Sequence, residues 1–314
     1  MNARLGRGLR MLLPVLMACA LTLAALAASA APDRPSSARA PRVASAVGQA
    51  EVTACYPKAS SLRPSGPPQV IPGSFMEKIR ARGYLIAGVD QSTYHFGFFN
   101  PANGQIEGFD IDMIKAVAQA IFGSPKVEYK AISDAQRIPD VESGAVDIVA
   151  HTMTITCDRL KNVDFSSVYF DAAQRVLVLK NSKATSLPDL RGQKVCATSG
   201  SDSLARIIAA GAIGVPEPYW TDCLVLLQQG DVAAISTDDS ILDGLAAQDP
   251  WTMLVGSRLS DEPYGLAISK QHPDFVRFVN AVLQQLRTDG QWAASYRAWI
   301  GSPAPNPPQP KYAD

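Results

Sequence analysis

The residues most able to do chemistry lie in the stretch HTMTITCDR, residues 151–159, where Thr152, Thr154 and Thr156 alternate and Cys157 and Arg159 follow. If the apolar run VDIVAH is a strand leaving a core, the three threonines share one face and Met153 and Ile155 the other. Thr156 can then cap a turn that brings Arg159 back toward the hydroxyls. A planar guanidinium beside hydroxyls and free backbone N–H groups is a bidentate receptor for a carboxylate. The same arginine could equally pair with Asp158 or Asp164 on a solvated turn, where ion pairs are common and weak.

Two further stretches are candidates. TSGSDS, residues 198–203, carries Thr198, Ser201 and Ser203 around Gly200, between a predicted strand and a predicted helix. The N–H groups and dipole of that helix end favour an anion, although serine and aspartate there also serve as ordinary caps. At the end of the run AAIS, Asp239 can cap the next helix and leave Asp238 to meet an ammonium group, or both can be solvated caps. Tyr94, Phe96, Phe98 and Phe99 follow the first strand and belong either to the core or, for one or two of them, to a ligand. His95, His151 and His272 are too scattered for a metal site, and His151 either lines a cleft or is structural. No P-loop, G-x-S-x-G elbow or C-x-x-C is present, and no cofactor is expected.

The elements that must position these residues alternate between strand and helix. YLIAGV reads as a strand; GFDIDMIKAVAQAIFG is a helix with Ile111, Ile114, Ala118 and Ile121 on one face and Gly123 as its stop. VEYKAI, RIPDVESG and VDIVAH continue the alternation, and a second, smaller α/β unit begins at QRVLVLK. Two amphipathic helices and a Pro-rich tail, residues 302–314, close the chain. Two α/β units joined by extended segments predict a ligand in the cleft between them.

Lysine plus arginine equals aspartate plus glutamate, 29 of each, so no field for nucleic acid exists and recognition must be local. Residues 1–30 read as an export signal, with Arg4, Arg7 and Arg10 before an apolar run and Ala28-Ser29-Ala30 at its end. Leu16-Met17-Ala18-Cys19 also resembles a lipobox, so Cys19 is a candidate lipidation site, with ordinary cleavage and an uncut anchor as the alternatives. Residues 31–73 are rich in Ala, Pro, Ser and Arg and read as a flexible tether. Four further cysteines, Cys55, Cys157, Cys196 and Cys223, predict two disulfides in an exported chain.

In order, GFDIDMIKAVAQAI, TITCDR…VDFSSVY, RGQKVCATSGSDS, AAISTDDSIL and PYGLAIS resemble the extracytoplasmic solute-binding proteins for polar amino acids that serve ABC importers. The likeness covers about residues 74–300 and is nearest to actinobacterial glutamine/glutamate-binding proteins. It implies an α/β, two-lobed, periplasmic-binding-protein-like fold of type II. Lobe 1 would span residues 74–173, lobe 2 residues 174–264, and residues 265–301 would return to lobe 1, with crossovers near Gln174 to Lys180 and Pro263 to Ser269. It further implies that Arg159 and Thr154, with Thr152, bind the ligand's α-carboxylate, that Ser201 and Thr198 help from the other lobe, and that Asp238 holds the ammonium. Arg137 matches a position that meets a side-chain carboxylate, whereas Asp90 stands where some dicarboxylate receptors carry arginine; Tyr94 would replace an aromatic usual at Thr93. Disulfides confined to one lobe leave a hinge free, which on this division pairs Cys55 with Cys157 and Cys196 with Cys223.

The implied function is capture of an acidic or amide amino acid, glutamate or aspartate first, by a monomer that delivers it to an ABC permease. A sensory module read by a membrane signalling protein is the second reading. An enzyme resembling cyclohexadienyl dehydratase is the third, for which Asp238 is the sole candidate acid.

Overall fold

The computed structural model describes residues 55–314; the export segment, Cys19 and the start of the expected tether lie outside the described residues. Two five-stranded sheets organise the chain. The first runs, edge to edge, Val127–Ala131, Leu85–Val89, Ile148–Ala150, Ala267–Ser269 and Val163–Phe165. The second runs Ile213–Glu217, Lys194–Thr198, Ala234–Asp238, Gln174–Leu179 and Thr252–Val255. In each, one strand pairs in parallel with both neighbours (Leu85–Val89; Lys194–Thr198) and one pairs antiparallel with both (Ala267–Ser269; Gln174–Leu179). The antiparallel strands are those by which the chain enters a lobe after crossing from the other, so they arrive from the opposite end.

The crossing is made by Phe170–Ala172 and Glu262–Tyr264, which pair antiparallel with Asp171 opposite Pro263. The crossovers expected at Gln174 to Lys180 and Pro263 to Ser269 therefore shift toward shorter segments. Gln174–Leu179 is already a central strand of the second sheet, and Ala267–Ser269 a strand of the first. Periodicity could not separate them, because crossover and strand follow each other with only Ala173, or Gly265 and Leu266, between them.

Each lobe has its own core. The helix Phe109–Phe122 buries Phe109, Ile111, Met113, Ile114, Val117, Ala118 and Ile121 against the first sheet and stops at Gly123, whose φ of 73° suits a residue without a side chain. The helix Pro273–Thr288 returns to the same core and buries Phe275, Val276, Val279 and Leu283. The second core holds Val176, Val195, Ile235 and Leu242, and Cys196 and Cys223 are bonded within it.

Residues 55–73 correct the flexible tether. Cys55 is bonded to Cys157. Ser61 is buried and donates to the Phe165 carbonyl at 2.7 Å. Asn280, fully buried, donates to Ser61 Oγ and the Leu62 carbonyl, each at 2.7 Å, and accepts from the Ser167 N–H at 2.6 Å. The C-terminal tail is also held: Tyr312 forms a bridge with Ser61, and the Asp314 side chain accepts from the Arg63 N–H and pairs with Arg277. A Pro-rich chain lacks apolar periodicity, so composition reads as tether where backbone and polar contacts supply the order.

Asn280→Ala removes three hydrogen bonds and leaves the Ser167 N–H and the Leu62 carbonyl without that partner. Urea unfolding should show a loss of about 2–4 kcal/mol. Wild-type stability in that variant would refute this role.

Candidate functional site

The strand Ile148–Ala150 ends before the threonines, so the expected three-threonine face does not form. Thr152 adopts φ 42°, in the left-handed region that a β-branched residue rarely enters. The cause is Asp110, in the first turn of Phe109–Phe122: its carboxylate accepts the Thr152 N–H at 2.8 Å and the Tyr169 hydroxyl at 2.6 Å. Burial pushes the Asp110 carboxyl up to about 6, against the opposing pull of those two hydrogen bonds. Thr154, beyond the bend, bridges to Tyr264 of the second crossover strand.

The bend carries the chain to Arg159, whose N–H is held by Thr156 Oγ1 at 3.2 Å. The guanidinium is buried and donates to the Thr154 carbonyl at 2.7 Å and the Gly200 carbonyl at 3.3 Å, and its Nη1 lies 3.1 Å from Asp202. Burial and the nearby charge of Arg137 pull its pKa below the usual arginine value. Gly200 and Asp202 belong to the second lobe. The arginine thus spans the cleft.

Arg137 lies beside it and makes four polar contacts. Its Nη1 pairs with Asp134 at 2.7 Å and donates to the His151 carbonyl, Nε donates to the Asp134 carbonyl, and Nη2 to the Gly200 carbonyl. Burial opposes ionisation of Asp134, but Arg137, with a hydrogen bond from Thr198 Oγ1, outweighs it and holds the carboxyl below its ordinary value. Gly200 has φ +82°, and a Cβ there would stand 2.8 Å from the Ala135 Cα, so only glycine lets the two lobes meet so closely.

Across the cavity Asp238, the last residue of its strand, accepts the Tyr264 hydroxyl at 2.6 Å. Burial, and next the charge of Glu262, push its carboxyl up to about 8. Glu262 pairs with Arg206 at 2.8 Å. Asp239 is the first residue of the following helix rather than its cap; its carboxylate accepts the Ser240 and Ala173 N–H groups, each at 3.0 Å, and so ties the helix start to the end of the crossover.

Between the lobes remains a cavity of about 20 Å³, and Arg137, Thr152, Thr154, Arg159, Ser201 and Asp238 all line it. Six residues not singled out by sequence join them: Asp134, Asp202, Trp220, Thr237, Ile241 and Glu262. Trp220 is almost fully buried and its indole N–H has no partner. Three expected residues stand elsewhere. Thr198 lies beneath the cavity with its hydroxyl on Asp134. His151 is buried behind it, with Nε2 2.9 Å from the Ile132 carbonyl. Tyr94 packs against His95 and Phe98 at the rim, where its carbonyl meets Gly244 of the other lobe. Asp90 caps its own turn, accepting from Ser92 and Thr93.

Two α/β lobes joined by paired crossover strands, with charged side chains meeting in a small polar cavity between them, define a solute-binding protein. Residues 85–302 match the bacterial extracellular solute-binding proteins, family 3, and the chain belongs to that family. It is 38% identical over 226 residues to the ABC transporter glutamine-binding protein GlnH of Bacillus subtilis, across 71% of this chain and 83% of that protein. It is 40% identical over 206 residues to the glutamine-binding protein of Geobacillus stearothermophilus, across 64% and 79%. Among solved structures, an ancestral arginine-binding protein bound to glutamine superposes with a TM-score of 0.66 at 36% identity, covering 70% of this chain and 99% of that one.

The raised Asp238 carboxyl makes a pH prediction. A group whose folded pKa exceeds its unfolded value contributes stability that is complete below the unfolded value, near 3.8, and is lost as pH rises through about 8. Asp238→Asn cannot ionise. Its stability relative to wild type should therefore improve by up to about 1.4 kcal/mol per pH unit between pH 5 and 8, read from urea unfolding. Parallel pH profiles for the two proteins would count against the raised carboxyl.

Proposed function

We propose that this protein captures L-glutamine outside the cytoplasmic membrane and hands it to an ABC permease. Arg159, with Thr152 and Thr154, receives the α-carboxylate; Ser201 assists from the second lobe, and Asp238 receives the α-ammonium. The observation that carries the choice of amino acid is the pairing of Arg137 with Asp134 at 2.7 Å. The expected role of Arg137 was to bind a side-chain carboxylate. A guanidinium already neutralised by a buried aspartate has no spare charge for a second one, which favours an amide over glutamate or aspartate.

A cationic side chain is disfavoured by the same reasoning. Asp134 and Glu262 each lie within 2.8 Å of an arginine nitrogen. What the cavity does offer is the partnerless indole N–H of Trp220, a donor that an amide carbonyl can satisfy. The glutamine-binding relatives point the same way. Entry of an amino acid into a cavity of about 20 Å³ requires the lobes to part at the crossovers, so capture is hinge closure around the ligand.

A thermal-shift screen of the twenty amino acids tests this, since a ligand that binds only the folded state raises its melting temperature. L-Glutamine should give the largest shift. Arg159→Ala should weaken its binding by about 2–5 kcal/mol in calorimetry, the effect of truncating one partner of a buried charge pair. Trp220→Phe keeps the ring and loses the N–H, and should cost about tenfold in affinity. A larger shift with L-glutamate, abolished by Arg137→Ala, would overturn the assignment.

A further inference from the structure

Asp202 opens the helix Asp202–Ala209 in the second lobe, directly after Ser201. Its carboxylate reaches across the cleft to Arg159 Nη1, and Oδ2, the oxygen that makes this approach, accepts no hydrogen bond. An aspartate at a helix start ordinarily turns back to cap the N–H groups there. Here the buried guanidinium claims it instead: the Arg159 side chain is 8% exposed and that of Asp202 31%. Arg159 needs an anion once it is buried, and Asp202 is the carboxylate that supplies one.

We propose that Asp202 is a resident competitor for the ligand's carboxylate: it occupies the anion position on Arg159, latches the lobes together without ligand, and must be displaced for binding. This rests on Arg159 being the receptor for the α-carboxylate. Two carboxylates cannot share one face of a single guanidinium without mutual repulsion, so the Arg159–Asp202 pair and a bound amino acid exclude one another. Because Asp202 is partly exposed, it can swing into solvent when the lobes part, at far smaller cost than a buried ion would require. The same turn brings the Gly200 carbonyl onto both Arg137 and Arg159, so latch and close approach of the lobes form one unit. Ligand affinity is then lowered by the fraction of molecules in which the latch is shut, which sets the working range of the receptor. The latch also excludes amines and amides that carry no carboxylate, since they offer Arg159 nothing in exchange.

The test compares wild type with Asp202→Asn and Asp202→Ser, both suited to a helix start, each dialysed free of ligand. Small-angle scattering should show both variants expanded relative to wild type, and added NaCl should expand wild type but not the variants. L-Glutamine titrated into Asp202→Asn by calorimetry should bind about three- to tenfold tighter. Unchanged compactness without ligand, or weaker binding by the variants, overturns the latch, because an aspartate that assists the ligand would cost affinity when removed. Arg159→Ala in the same titration separates the two claims. If it keeps wild-type affinity for L-glutamine, Arg159 is not the carboxylate receptor; if it loses binding while Asp202→Asn also loses it, only the latch fails.

Discussion

Burying a guanidinium without a partner costs several kcal/mol, and this protein buries two of them side by side between its lobes. Arg137 and Arg159 repel each other, so the surroundings must supply compensating charge and carbonyl oxygen from both lobes. Asp134 serves Arg137 from within the first lobe, and Asp202 serves Arg159 from the second. The Gly200 carbonyl serves both, which is possible only because a residue without a side chain lets that turn rest on Ala135. The geometry of the cleft follows from satisfying two adjacent cations. That same need makes the site responsive to a carboxylate arriving from outside.

The backbone that presents Arg159 depends on a second buried charge. Asp110 holds the Thr152 N–H with one oxygen and the Tyr169 hydroxyl with the other. The first contact stabilises a left-handed bend that ends the strand Ile148–Ala150 and redirects the chain into the cleft. The second fixes the residue immediately before the crossover strand Phe170–Ala172. One carboxylate at the start of one helix therefore registers the binding turn against the hinge, and the strain at Thr152 is sustained by surroundings that leave it no alternative.

Much of this was legible in the chain, for identifiable reasons. Alternating strands and helices, the apolar face of Phe109–Phe122 and the serine-rich turn before Asp202–Ala209 are local patterns, and local patterns survive in sequence. Arg159 and Asp238 stood out because one sits in the turn beyond an apolar strand and the other closes a strand. Three things were hidden. The neutralisation of Arg137 by Asp134 was written at a spacing of three residues, yet such a pair reads as ordinary helix-surface charge until burial is known. Asp202 reads as a helix cap, because only the approach of the other lobe turns it toward an arginine. The order of residues 55–73 depends on Asn280, more than two hundred residues away, and no window of sequence contains both.

The distribution of strong and weak contacts bears on how such a molecule can move. Both disulfides lie within a lobe: Cys196–Cys223 inside the second core, and Cys55–Cys157 between the N-terminal segment and the turn that leads to Arg159. The N-terminal segment also reaches the crossovers, where Lys58 stands 3.3 Å from Asp171 and 3.4 Å from Asp261. Those side chains are well exposed, and exposed pairs are worth about 1 kcal/mol or less and are screened by salt. Covalent bonds and buried amide contacts thus consolidate each lobe, while the cleft is spanned by ion pairs and hydrogen bonds that water and a zwitterion can replace. A protein built in the reverse way, with a staple across the crossovers, could not open.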